Sequence, residues 1–141
     1  MPPGWVNTLE DYWVWIEQLI DSGGGYIADD EVVFIVPVVD YDGGPWLALN
    51  VERSRLHYYD GSYLAFQFVV SLDLLLEEYN FHYARADDTL VWRYDLHAGH
   101  EHEDDGRSHV HLPDGRRRRH EPVDLEHVLN LVKADQAERA G

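Results

Sequence analysis

The apolar residues of this chain change their spacing part-way along it. Leu9, Tyr12, Trp13, Ile16, Leu19 and Ile20 fall three and four apart, which is the period of one helical face. Thr8, with Asp11 three positions on, resembles a capping box at its start, and Ser22-Gly23-Gly24-Gly25 ends it. From Tyr26 the period becomes that of strands. Val32 to Val39 is a β-branched and aromatic run closed by Asp40-Tyr41-Asp42-Gly43-Gly44-Pro45, and so reads as a strand and a turn.

Trp46 to Asn50 and Val51 to Tyr58 read as one long strand or two. Asp60-Gly61 then joins them to Leu64, Phe66, Phe68 and Val70, which alternate with Ala65, Gln67 and Val69; this is a hairpin. Leu72 to Glu78 fits a helical turn by propensity and a strand by length. Phe81 to Arg85 and Thr89 to Tyr94 flank Asp87-Asp88, a second hairpin without glycine in its turn. Residues 96 to 107 read as a polar, mobile loop. Ser108 to Leu112 and Arg116 to His120 surround Pro113-Asp114-Gly115, a third hairpin. Asp124 can cap a closing helix with the stripe Leu125, Val128, Leu129 and Val132, fraying into a polar tail from about Asp135. Successive hairpins between two helices imply an α+β domain. We expect an antiparallel sheet of about five to seven strands, with an N-terminal and a C-terminal helix packed on one face.

Length and composition fit a single domain over residues 1–141: the chain is 45% hydrophobic with five tryptophans, enough for a real core. Without cysteine there is no disulfide framework and no thiolate zinc site. Neither a signal peptide nor an apolar run of about 20 residues, the length of a membrane helix, is visible, so the expected location is cytoplasmic and no membrane partner is expected. Acidic residues number 27 against 11 basic ones, a net charge of -16, and Lys133 is the only lysine. That balance argues against a plain nucleic-acid binder and fits a salt-adapted, halophilic cytoplasm.

The last third carries the candidate chemistry. Seven histidines, His97, His100, His102, His109, His111, His120 and His127, surround Arg116-Arg117-Arg118-Arg119. Side chains two apart on a strand share a face about 7 Å apart, so His109 and His111 can point at one object while Val110 enters the core. Arg93 and Asp95 have the same spacing, where arginine could hold a charged intermediate and aspartate orient an imidazole. Asp95 and His97 would share it too if their strand runs on, and His100 or His102 could add a ligand if the loop folds back. His109 and His111 are the metal candidates. No cofactor is required, and a divalent metal held by imidazole and carboxylate is the alternative. The bland alternative is a solvated His-rich loop and strand face. Arg116 to Arg119 are candidate phosphate contacts, or else the charges of a protected edge strand. His57, His82 and His127 read as structural. Trp13, Trp15, Trp46 and Trp92 supply aromatic area for a dimer or partner face.

The run from Tyr79 to Val132 resembles the TumE-like toxins of prokaryotic toxin–antitoxin systems. The matching residues are Phe81-His82-Tyr83, Arg93-Tyr94-Asp95, His100, His109-Val110-His111 and Glu121-Pro122-Val123-Asp124-Leu125, with Leu96 where the family carries Asn. The resemblance implies a small α+β domain acting on RNA or translation and silenced by an antitoxin partner. Two readings follow. In the first the chain is a toxin and a metal-independent ribonuclease. His109 or His111 takes the 2′-OH proton, His100 protonates the leaving oxygen, and Arg93 or the Arg block stabilises the phosphorane. In the second it is a non-enzymatic metal-binding or protein-interaction domain, with a homodimer as a further expectation.

Overall fold

A computed structural model describes residues 1–28, 35–36, 49–97 and 108–140. The order is α1 (Leu9–Ser22), β1 (Ile35–Val36), β2 (Leu49–His57), β3 (Tyr63–Val70), β4 (Leu76–Ala84), β5 (Leu90–Leu96), β6 (Ser108–His111), β7 (Arg117–Arg119) and α2 (Leu125–Ala140). Among the described residues the seven strands form one antiparallel sheet in sequential order, each paired with the next. The strand expected over Val32–Val39 is described only at Ile35 and Val36, and Trp46 lies outside the described residues.

One turn design builds most of this meander. In each of four hairpins the first residue's N–H donates to the carbonyl four positions on, and the fourth residue's N–H donates back to the first residue's carbonyl: Tyr58/Ser62, Ser71/Leu75, Arg85/Thr89 and Leu112/Arg116. The fourth residue has positive φ every time, at Gly61, Leu74, Asp88 and Gly115, as three-residue hairpin loops require. Asp60, Asp87 and Asp114 stabilise three of these turns by accepting from the N–H two positions on. Asp88 takes the place of the missing glycine in the second hairpin expected from sequence, at φ 67°, and its carboxylate accepts from the Tyr63 hydroxyl at 2.7 Å. The segment Leu72–Glu78, open on propensity, resolves into a turn followed by β4.

Alternation sorts the sheet into two faces. Leu56, Leu64, Phe66, Phe68, Tyr79, Phe81, Tyr83, Tyr94 and Val110 share one buried cluster with Tyr12, Trp15 and Ile16 of α1 and Leu125, Val128, Leu129 and Val132 of α2. Both helices therefore cover the same face, leaving the other face free of them. Thr8 caps α1 by accepting from Asp11 N–H at 3.1 Å, while the Asp11 carboxylate accepts from Asn7 rather than closing the box on Thr8. Trp15 is only 4% exposed, and Trp13 and Trp92 pack against the same core. Trp15 is thus core, while Trp13 and Trp92 are half-buried at its margin.

α2 does not fray at Asp135 but continues to Ala140. Tertiary bonds hold its polar end: Asp135 accepts two hydrogen bonds from Arg85 and one from the Tyr83 hydroxyl, Gln136 donates to Tyr83, and Arg139 donates to Asp60. No helix among the described residues is long and apolar enough to cross a membrane.

Candidate functional site

Register decides what meets on the face away from α1 and α2. Asn80 lies opposite Asp95, Asp95 opposite His109, and His109 opposite Arg119. One pair further along, His82 lies opposite Arg93, Arg93 opposite His111, and His111 opposite Arg117. Two adjacent polar rows thus run across β4 to β7, with strands about 4.8 Å apart. Val110, between the two histidines, enters the core under the helices.

At the centre three atoms converge. His111 Nε2 lies 2.9 Å from Asp95 Oδ2, His109 Nε2 lies 3.4 Å from the same oxygen, and the two Nε2 atoms are 3.1 Å apart. Asn80 Nδ2 donates to the other carboxylate oxygen, Oδ1, at 2.6 Å. That bond fixes the rotation of the Asp95 carboxylate and turns Oδ2 toward the imidazoles. Arg93 flanks the group, with Nε donating to Asp95 Oδ2 at 3.1 Å and Nη2 lying 3.0 Å from His111 Nε2.

Asp95 and His109 are each 2% exposed although neither α1 nor α2 covers this face, while His111 and Arg93 reach its surface with side chains 18% and 36% exposed. The cluster is therefore dry at its base and open at its rim. Burial, followed by the charge of Arg93, lowers the pKa of His111 below the usual histidine value, against an opposing pull from Asp95. Its imidazole is accordingly biased toward the neutral form.

Of the residues singled out in the sequence, Arg93, Asp95, His109 and His111 come together, whereas His100 and His102 lie outside the described residues. The Arg block divides. Arg117 and Arg119 continue the two polar rows, Arg118 lies opposite Val110 and so faces the helix side, and Arg116 sits beside the turn with its Nε on Asp114. His120 and His127 pack around Tyr94 on the helix side, remote from the cluster face. His82 stacks on the Tyr63 ring, half-buried on the cluster face. His97 lines a neighbouring hollow of about 440 Å³ with Asn50, Glu52, Gln67 and Glu78. Sequence reasoning missed Asn80. Its only signal was a polar residue alternating with Tyr79 and Phe81, and its partner is set by a pairing across strands.

The fold and the cluster define a class: an α+β domain in which helices cover one face of an antiparallel meander and a histidine, carboxylate and guanidinium cluster occupies the other. The family model described as Toxin TumE matches residues 38–140, most of the chain. The chain belongs to the TumE toxin family, the toxins of toxin–antitoxin systems. The match reaches well beyond the run Tyr79–Val132 on which the resemblance was seen and takes in β2 and β3. No curated protein and no solved structure matches the chain.

Proposed function

We propose that this toxin acts on RNA, and that the phosphodiester is attacked over the Asp95–His109–His111 triangle. The observation carrying this reading is that an acidic chain of net charge -16 aligns Arg93, Arg117 and Arg119 along the face where two imidazoles and a carboxylate converge. Arginine recognises phosphate oxygens through paired N–H donors, and Arg117 and Arg119 are exposed at the β7 edge. They suit the backbone phosphates flanking the reacting one. Arg93, partly exposed at the rim, suits the charge that builds on the phosphorane oxygens. The triangle assists the attacking hydroxyl, either by taking its proton on an imidazole or by holding an ion that lowers its pKa.

The rest of the surface keeps polyanions away, so binding depends on the local patch. Double substitution Arg117→Glu/Arg119→Glu should weaken binding of a single-stranded RNA oligonucleotide and flatten its salt dependence. On the counterion-release slope for single strands, two lost phosphate contacts reduce the slope by about 1.4. Expression of the parent, but not of His111→Ala, should slow growth. Intact RNA at every pH from about 5 to 8, together with unimpaired growth, would refute the reading.

A second reading, an ion-binding protein without catalysis, draws on the same triangle of ligand-type atoms. It predicts metal binding with no change in RNA. In either case an antitoxin partner is expected from the family; we place no homodimer on this surface.

A further inference from the structure

We propose that Asp95, His109 and His111 hold one divalent transition-metal ion through Oδ2 and the two Nε2 atoms. The first argument is hydrogen-bond capacity. A ring nitrogen carries either one N–H or one lone pair, yet His111 Nε2 has three polar neighbours within 3.1 Å: a carboxylate oxygen, a guanidinium nitrogen and the other Nε2. If it donates to Asp95, the Arg93 N–H faces another N–H. If it accepts from Arg93, its lone pair faces the carboxylate oxygen. No placement of protons makes all three contacts favourable. A cation at the centre of the triangle removes the conflict among the three ligand atoms, because each then directs a lone pair at the same point.

The second argument is size. The separations of 2.9, 3.1 and 3.4 Å admit a point equidistant from all three atoms at about 2.1 Å, the usual length of bonds from zinc and similar ions to imidazole and carboxylate. At that distance the ligands subtend angles of roughly 90–110°, so they occupy one side of the ion and leave the opposite side open. Two imidazoles and one carboxylate suit zinc, manganese, iron or nickel, and disfavour calcium. Asn80, donating to Oδ1, orients the carboxylate for the purpose.

Arg93 gives the proposal a distinctive consequence. Its guanidinium nitrogens lie 3.0 and 3.1 Å from two of the three ligand atoms, so it competes with the ion by charge and by position. With the ion bound, the side chain must swing off His111, which its partial exposure permits. Metal binding should therefore improve when Arg93 is neutralised.

This inference deepens the RNA reading by supplying the charge that would meet the phosphate, but its evidence and its test contain no RNA. Untagged protein is titrated with ZnCl2 by calorimetry, and with CoCl2 by visible absorption. One equivalent should bind. His111→Ala and His109→Ala should each weaken binding by about 100-fold or more, Asp95→Asn by roughly 10–100-fold, and Arg93→Gln should tighten it several-fold. His120→Ala, on the helix side, should change nothing. Because buried His109 could be needed for folding, circular dichroism accompanies each variant, and the rim residue His111 carries the decisive substitution. Absence of a bound equivalent, or binding that survives in folded His111→Ala, overturns the proposal. Metal binding with intact RNA and unimpaired growth sinks only the RNA reading, whereas cleavage undiminished by chelator in a protein that binds no metal sinks only this one.

Discussion

Asp95→Asn is nearly isosteric, and the structure says it should be costly. The native carboxylate accepts on both oxygens: from Asn80 on Oδ1, and on Oδ2 from Arg93 beside the two imidazoles. An amide has one acceptor. Keeping its oxygen toward Asn80 aims its NH2 at the Arg93 N–H, and flipping it aims NH2 at the Asn80 NH2. One donor therefore meets a donor in either rotamer, at a position 2% exposed where water cannot readily intervene. Relief of the buried charge works in the opposite direction, but that charge is paired and hydrogen-bonded, so its removal returns little. Losing one charge-assisted bond and stranding a buried donor amounts to about 2–4 kcal/mol. With an unfolding entropy of about 2.1 cal/mol/K per residue, that lowers the melting temperature of a chain this size by roughly 7–13 °C. The exchange variant Asn80→Asp/Asp95→Asn restores the pair with reversed polarity and leaves an amide oxygen toward Arg93. It should recover at least half of the lost stability without recovering zinc binding, which needs the carboxylate. Thermal unfolding of the four proteins in the cycle tests this. A shift under about 2 °C for Asp95→Asn, or an exchange variant no more stable than the single one, would refute the reasoning.

The clip between α2 and the sheet gives a pH signature. Hydrogen bonds from Arg85 and then from Tyr83 hold the Asp135 carboxyl below its ordinary value of 3.8. A lowered folded pKa contributes stability that is present above that ordinary value and is lost as pH falls through the lowered one. Asp135→Asn should cost about 1 kcal/mol at neutral pH, since both partners are partly solvated, and should flatten the loss of stability in acid. Urea unfolding from neutral pH down to about 2 checks it; an unchanged acid limb counts against the clip. The excess of acidic residues predicts a rise in melting temperature with KCl up to molar concentration, as screening relieves repulsion. No gain in molar KCl would end the salt-adapted interpretation.

Much of the architecture was legible because it is written in local chemistry. Period-two alternation in Leu64–Val70 identifies a strand and its buried face, Asp60-Gly61 and Asp114-Gly115 supply the left-handed turn residue, and Thr8 caps α1. Asp88 at positive φ was less evident, since aspartate tolerates that conformation without demanding it. Trp15, three residues after Tyr12 and four before Leu19, lies on the buried side of α1 with Tyr12 and Ile16. The persistence of α2 beyond Asp135 depends on Arg85, Tyr83 and Asp60, residues more than 40 positions away in sequence.

The amino-acid order alone fixed that His109 and His111 share a face and that Arg93 and Asp95 share one, because two-residue spacing on a strand permits nothing else. It could not fix that these are the same face at the same height. That follows from the pairings Arg93↔His111 and Asp95↔His109, which bring Asn80 in from one side and Arg117 and Arg119 from the other. Register is a property of the assembled sheet: a slip by one residue would send every side chain of a strand to the opposite face. The buried apolar alternation under the two helices opposes that slip, so the core on one side of the sheet sets the chemistry on the other.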